Sequence, residues 1–271
     1  MNPKNPVSVA LVQATPKLGN IPANIQRIEQ VALSEEADLI VFPELSLTGY
    51  LLKDELPRLA IRRDGPEIAA LERIAAENGK HIILGAPYYD DRDFLHNASI
   101  LIGPDGFIGR YFKWFFPNFL PFDEKRYFKA GTETPVFDTP LGKIGLQVCY
   151  DVFFPELSTI LALKGADIIV NISAAPTMSR YFFETVIPAR AMENTVFYLY
   201  VNLTGTDERL TFWGGASAHS PKGFEIAKGE YFTDQVVRAK LDFREVAIAR
   251  SGRTVLRDKR AEAFHQLNDL L

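Results

Sequence analysis

The sequence predicts an α/β fold, and three observations carry that prediction. Apolar runs of strand length alternate with stretches of helical period through most of the chain, the pattern of strands joined by crossover helices. Two runs, Asp38-Leu39-Ile40-Val41-Phe42 and Asp167-Ile168-Ile169-Val170-Asn171, are apolar throughout their middles, as in strands covered on both faces. No linker, composition shift or low-complexity stretch interrupts the 271 residues, so one domain over 1–271 is expected.

Taken in order, Val7 to Gln13 alternates apolar with small residues and reads as the first strand. Asn20 to Leu33 places Ile21, Ile25, Ile28, Val31 and Ala32 on one helical face, with Pro22 tolerated in the first turn. The Leu39–Phe42 run follows and ends in Pro43-Glu44. Gly65 to Asn78 is a second amphipathic helix, entered by Gly-Pro and left by Asn-Gly. His81 to Tyr89 is a strand, and Pro104-Asp105-Gly106 turns a hairpin between Leu95–Ile102 and Gly106–Lys113. Trp114 to Gly131 has no period, two prolines and many aromatics; it reads as a long ordered loop, and loops of that length are usually functional. Strands are expected at Val136–Asp138 and Lys143–Cys149, a helix at Pro155–Lys164 and a strand at Ala166–Ser173. A helix over Arg180–Glu193 contains Pro188, which predicts a kink or early break. Strands at Thr195–Asn202, Ala216–His219, Phe224–Ala227 and Gln235–Asp242 complete the sheets, and Arg250 to Leu271 is a polar tail with weak helical spacing.

Composition excludes some functions. The net charge of −4, from 30 basic and 34 acidic residues, is mild and evenly spread, which argues against a nucleic-acid or membrane partner. The apolar runs fall well short of the roughly 20 residues of a membrane span. Met1 to Pro6 is polar and leads straight into a strand, so no signal peptide is expected. A single cysteine cannot close an internal disulfide, which fits a reducing, cytoplasmic location. One Cys and four His give no zinc-type spacing, and no metal or cofactor is expected.

The one cysteine, Cys149, stands between a strand and the helix start Pro155-Glu156. A lone thiol is commonly a core residue, and a nucleophilic one needs a base. The histidines, His81, His96, His219 and His265, are not placed beside it in sequence. A carboxylate can act instead if burial or a like charge raises its pKa. Glu44 emerges at a buried strand end as Cys149 does, either as such a base or as a helix cap. Lys113 ends its strand among aromatics, either as an oxyanion stabiliser or as a snorkelling charge.

Phe42-Pro43-Glu44-Leu45, Gly109-Arg110-Tyr111-Phe112-Lys113 and Cys149-Tyr150-Asp151 with Phe154-Pro155-Glu156 resemble, in order and spacing, the three signatures of the nitrilase, or carbon–nitrogen hydrolase, superfamily. Asn171-Ile172-Ser173-Ala174-Ala175-Pro176, Ala189-Arg190-Ala191-Met192-Glu193-Asn194 and Ser220-Pro221-Lys222-Gly223 resemble its later motifs, so the likeness spans nearly the whole chain. It implies a four-layer α-β-β-α sandwich and a Glu-Lys-Cys triad: Glu44 as general base, Cys149 as nucleophile, Lys113 as oxyanion stabiliser. The Tyr150 backbone N–H could share the oxyanion. The implied reaction is hydrolysis of a small non-peptide amide through a cysteine thioester, releasing ammonia or an amine.

The stretch from Pro117-Asn118 to Phe128 resembles the glutaminase domains of NAD synthetases and points to Glu124 as a second carboxylate, with Asp123 as its rival. If the protein is a glutaminase, a partner chain must accept the ammonia. True nitrilases of the superfamily typically carry Trp-Glu after the cysteine; Tyr150-Asp151 resembles the amidase side. Branches acting on carboxylate-bearing substrates, such as omega-amidases and carbamoylases, tend to carry Arg where Phe153 stands. An uncharged amide with an apolar side is therefore expected. An N-carbamoyl substrate would need Arg180 or Arg190 to reach the site. Tyr150, Phe153, Trp114, Phe116, Ser173 and Ala174 are the expected substrate contacts, with Phe115, Met178, Phe182 and Trp213 as further pocket candidates. A non-catalytic member would show a broken triad, and all three residues are present. Family members commonly dimerise, and Leu256-Arg257-Asp258-Lys259-Arg260 resembles the tail that reaches across; residues 250–271 are expected at such a homo-oligomer interface.

Overall fold

A computed structural model describes residues 6–119, 122–207 and 210–270. Of the expectations above, those on Met1–Asn5, on Leu120-Pro121 within the long loop and on Leu271 lie outside the described residues. The first half of the chain runs β1 (Val7–Gln13), α1 (Ile21–Ser34), β2 (Leu39–Val41), the short α2 (Leu56–Leu59), α3 (Pro66–Asn78), β3 (His81–Tyr89), β4 (Leu95–Gly103) and β5 (Gly106–Phe112). The second runs β6 (Val136–Thr139), β7 (Gly142–Val148), α4 (Pro155–Leu163), β8 (Ile168–Ser173), α5 (Arg180–Asn194), β9 (Phe197–Asn202), β10 (Thr204–Asp207), β11 (Leu210–Trp213), β12 (Ser217–His219), β13 (Glu225–Lys228), β14 (Gln235–Leu241), α6 (Arg244–Gly252) and α7 (Ala261–Asn268).

Two six-stranded sheets form, in the orders β14-β1-β2-β3-β4-β5 and β13-β12-β9-β8-β7-β6. Each has a parallel centre, β1-β2-β3 in one and β7-β8-β9 in the other, flanked by antiparallel strands. Strand alternation assigns the faces. Val7, Val9, Leu11, Leu39, Val41 and Ile83 point inward to a core shared with Ile144, Leu146 and Val148 of the opposite sheet. Ala10, Val12, Ile40, Ile82 and Leu84 point outward and are covered by Ile28 and Ala32 of α1 and by Ile68, Leu71 and Ile74 of α3. Both sheets are thus flanked by helices, the expected α-β-β-α layering. No helix among the described residues is long and apolar enough to cross a membrane.

The helix boundaries follow their local chemistry. The Asn20 side chain accepts from the Ala23 N–H to cap α1, and α3 closes at Gly79, whose φ of 63° suits glycine. The break expected at Pro188 does not occur: α5 continues to Asn194. Proline removes one backbone donor, and the helix is held by burial of Phe183, Ile187 and Ala191 on either side of it. The sequence reading also missed the β10–β11 hairpin: β10 is Thr204-Gly205-Thr206-Asp207, with no apolar run, and β11 is four residues long. Where the sequence suggests a tail with weak helical spacing, residues 250–270 include the end of α6 and the helix α7.

Candidate active site

The C-terminal ends of parallel strands are where α/β sheets place ligands; Glu44 and Cys149 stand at such ends, and Lys113 joins them from the end of the antiparallel edge strand β5. Glu44 lies just past β2. Its segment passes so close to β3 that a Cβ on Gly85 would sit 2.3 Å from the Leu45 nitrogen and 2.7 Å from Glu44 Cα. Leu45 takes a positive φ of 49°, which turns the chain sharply behind the carboxylate. Lys113 follows β5 and is anchored by its N–H to the Asn97 carbonyl (3.0 Å) and by its own carbonyl to the Gly131 N–H (2.8 Å).

Cys149 follows β7 but does not lead directly into α4. A 3₁₀ turn, Cys149–Phe153, intervenes, and Cys149 itself has φ 49°. A left-handed conformation costs a residue with a Cβ about 1–2 kcal/mol, so the surroundings must hold it. Asn171 Nδ2 donates to the Cys149 carbonyl (3.2 Å) and Arg190 Nε to the Val152 carbonyl (2.9 Å). Asp151 accepts from Val148 N–H (3.1 Å) within the same turn.

The charged groups form one fully enclosed cluster. Lys113 Nζ donates to Glu44 Oε1 (2.8 Å) and to Glu124 Oε1 and Oε2 (2.9 and 2.7 Å). Glu44 and Lys113 have no exposed side-chain surface and Glu124 has 5%. Asn97 Nδ2 donates to Glu44 Oε1 (2.7 Å), the Ala174 N–H to Glu44 Oε2 (2.6 Å) and the Tyr50 hydroxyl to Glu124 Oε1 (2.8 Å). The Ala174 N–H is aimed by its neighbour Ala175, whose N–H and carbonyl are clamped by Asn202 at 2.7 and 3.1 Å. Glu124, not Asp123, is the carboxylate buried against Lys113: Asp123 is exposed and lies 3.9 Å from Arg126.

Electrostatics set the protonation states. Burial opposes the Lys113 charge, but Glu124 and Glu44 outweigh it and hold the ammonium well above its usual pKa. Burial, partly offset by Lys113 and reinforced by the Glu44 charge, raises Glu124. Burial also pushes the Cys149 thiol well above its usual value; Glu44 adds to this, Lys113 opposes it, and Glu124 adds again. The resting side chain is therefore a thiol, which needs a base at the moment of attack. Among the described residues no group of three or more His, Cys, Asp and Glu could hold a metal ion. The histidines stand elsewhere: His96 against Phe112 and Lys129, His219 against Ser217, His81 near Asp38 and His265 on α7.

Beside Cys149 opens a cavity of about 430 Å³ whose walls include Tyr150, Phe153, Ala175, Met178, Phe182 and Phe183. Four expected substrate contacts do not line it. Trp114 packs on the core and donates Nε1–H to the Glu133 carbonyl. Phe116 is buried with Leu45, Leu56 and Phe128, behind Lys113. Ser173 donates to Asn171 Oδ1, and Ala174 contacts Glu44 through its backbone. Two further candidates are also absent: Phe115 stacks on Phe154, and Trp213 is in the core against Tyr200. Neither arginine reaches the cavity. Arg180 lies over the Tyr231 ring, and Arg190 is committed to Val152 and Glu193. The sequence reading missed Asn97, Tyr50, Tyr111 and the positioning part of Asp151.

A family model described as carbon-nitrogen hydrolase matches residues 8–251. The chain belongs to the carbon–nitrogen hydrolase family. Its relatives include a nitrilase of Pyrococcus abyssi, 31% identical over 267 residues and covering 95% of this chain and 99% of that protein. A Pseudomonas (R)-stereoselective amidase is 30% identical over 263 residues, 94% of this chain and 92% of the relative. A glutamine-dependent NAD(+) synthetase of Aquifex aeolicus is 32% identical over 247 residues; the match covers 88% of this chain but 43% of that longer protein. The fold is that of the Helicobacter pylori carbon–nitrogen hydrolase crystal structure, with a TM-score of 0.89 at 23% identity over 97% of this chain and 98% of that one. This carbon–nitrogen hydrolase is thus an enzyme acting on C–N bonds.

Proposed function

We propose that the protein is an amidase that hydrolyses a small non-peptide amide through a thioester on Cys149. The observation that carries this reading is the enclosed cluster in which Lys113 is held by Glu44 and Glu124 at 2.7–2.9 Å, beside the buried Cys149 thiol.

Glu44 takes the thiol proton as Sγ bonds to the amide carbon. The carbonyl oxygen becomes an oxyanion, met by Lys113 and by the Tyr150 N–H, which is second in the 3₁₀ turn and so has no partner within it. When the C–N bond breaks, Glu44 returns the proton to the leaving nitrogen. Water then attacks the thioester; Glu44 accepts its proton and delivers it to the departing sulfur, restoring the thiol and releasing the acid. Glu124 holds Lys113 in place and keeps it charged. Ala174 and Asn97 fix the base rather than the substrate.

Ammonia release from small aliphatic and aromatic amides, glutamine, carbamoyl compounds and nitriles tests the reading. Cys149→Ala and Glu44→Gln should each lower turnover at least about a thousandfold, because the groups act as one unit. Full activity in either variant contradicts the mechanism. A glutaminase-type ammonia supplier is the second reading, favoured by the likeness to the NAD synthetase. We also infer a cytoplasmic homo-oligomer. Phe264 and Leu267 on α7, and Leu270 just beyond it, are 39%, 47% and 84% exposed, which supports burial of this segment against a second copy; sedimentation of the full chain tests it.

A further inference from the structure

The two sides of Cys149 differ in kind. On one side lie Glu44, Lys113 and Glu124, enclosed and already hydrogen-bonded among themselves and to Asn97, Tyr50 and Ala174. On the other is the cavity of about 430 Å³, within the usual size of a small-molecule site, and every described residue lining it is uncharged. Phe153 packs edge-on to Phe183 at 4.9 Å between ring centres, and Phe183 packs in turn on Tyr200 at 5.5 Å, so the inner wall is rigid aromatic surface. Met178 and Phe182 stand at the mouth, 64% and 58% exposed, as apolar surface with no described cover.

We infer that the substrate is a primary amide whose acyl group is a bulky, uncharged, apolar one seated in this cavity. The inference rests on the amidase reading and adds which half of the substrate goes where. Glu44 must reach the leaving nitrogen to protonate it, so that nitrogen lies on the enclosed side. One Glu44 oxygen accepts from Lys113 and Asn97 and the other from the Ala174 N–H, in a site with no exposed side-chain surface, so a substituent on the nitrogen would have to displace these partners whereas ammonia carries none. The acyl group must then point to the cavity. An apolar chain gains by leaving water there, whereas a carboxylate would lose its hydration with no described cation to replace it.

The test measures acid released from acetamide, 5-methylhexanamide, its N-butyl derivative, and glutaramate, in which a carboxylate replaces the isopropyl group of 5-methylhexanamide. 5-Methylhexanamide should exceed glutaramate in kcat/KM by at least about a hundredfold, the discrimination expected when a charge is left unpaired in an apolar site. It should exceed its N-butyl derivative by at least about tenfold. Phe182→Ala, a change at an exposed rim position, should reduce the preference for 5-methylhexanamide over acetamide by about tenfold. Glutaramate or the N-butyl amide turned over as well as 5-methylhexanamide, or a preference untouched by Phe182→Ala, overturns the inference while the amidase reading stands. Acid release no faster than in Cys149→Ala for every amide overturns that reading and this inference with it.

Discussion

The Tyr111 hydroxyl donates to Asp151 Oδ2 at 2.7 Å, tying the strand that ends in Lys113 to the turn that begins with Cys149. The same carboxylate accepts from Val148 N–H (3.1 Å) and, through Oδ1, from Trp114 and Phe115 N–H (3.2 and 2.9 Å). One buried side chain therefore fixes the residues next to both the cation and the nucleophile. Asp151→Asn keeps the shape but sets an amide N–H₂ against these donors. It should lower kcat by about tenfold to a hundredfold with KM changed little, because small misplacements of reacting groups are costly. Steady-state kinetics on the wild-type substrate checks this.

The same residue gives a pH dependence. Burial pushes Asp151 up to about 7, despite its four donors. An unfolded aspartate titrates near 3.9, so between about pH 4 and 7 the folded chain holds a proton that the unfolded chain does not. Stability from this group is thus present at low pH and lost as pH rises through about 7. Activity should run the other way, since protonation removes the charge that organises the turn. kcat/KM should fall on the acid side of about 7, and in Asp151→Asn that limb should move while the acid-side gain in stability disappears. Rate and melting profiles from pH 5 to 9, measured in parallel, test both signs.

Glu124→Gln leaves Lys113 with Glu44 as its one charged partner. The ammonium then loses part of what holds it above its usual pKa and part of its anchoring. kcat should drop by about a hundredfold, the scale of losing an electrostatic contributor to an oxyanion site. The far-ultraviolet circular dichroism should not change, which separates the effect from unfolding.

Gly85 is the packing requirement behind Glu44. Gly85→Ala places a methyl 2.3 Å from the Leu45 nitrogen and 2.8 Å from the Glu44 carbonyl carbon. Both contacts are with backbone, so the strands must part, at a cost of about 2 kcal/mol or more. Gly252→Ala, with nothing within 4 Å of its new methyl, is the control and should be near neutral. Denaturant unfolding of the two variants measures the difference.

Strand ends marked Glu44, Lys113 and Cys149 as candidates, but each kept a structural alternative, and it was the resemblance of their three motifs to the carbon–nitrogen hydrolase signatures that joined them into one triad. Alternation and helical spacing gave the α/β class, and the resemblance implied the four layers. The long Trp114–Gly131 loop showed its importance by lacking any period, but only folding separates buried Glu124 from exposed Asp123. The support around the triad was hidden for a physical reason. Asn97 looks like any polar residue in a strand, and Ala174 acts through a backbone N–H that no side-chain pattern reports. The aromatics misled: Trp114 and Phe116 flank Lys113 in sequence, yet they pack away from the cavity.

The central claim is a thioester on Cys149 that does not depend on the leaving group. Hydroxylamine competes with water for such an intermediate, so partitioning between hydroxamate and free acid measures it directly. An amide that the enzyme turns over and the methyl ester of the same acid should give the same hydroxamate-to-acid ratio, and Cys149→Ala should give no enzymatic hydroxamate from either. Ratios that differ between amide and ester, or hydroxamate formed by Cys149→Ala at the wild-type rate, would contradict it.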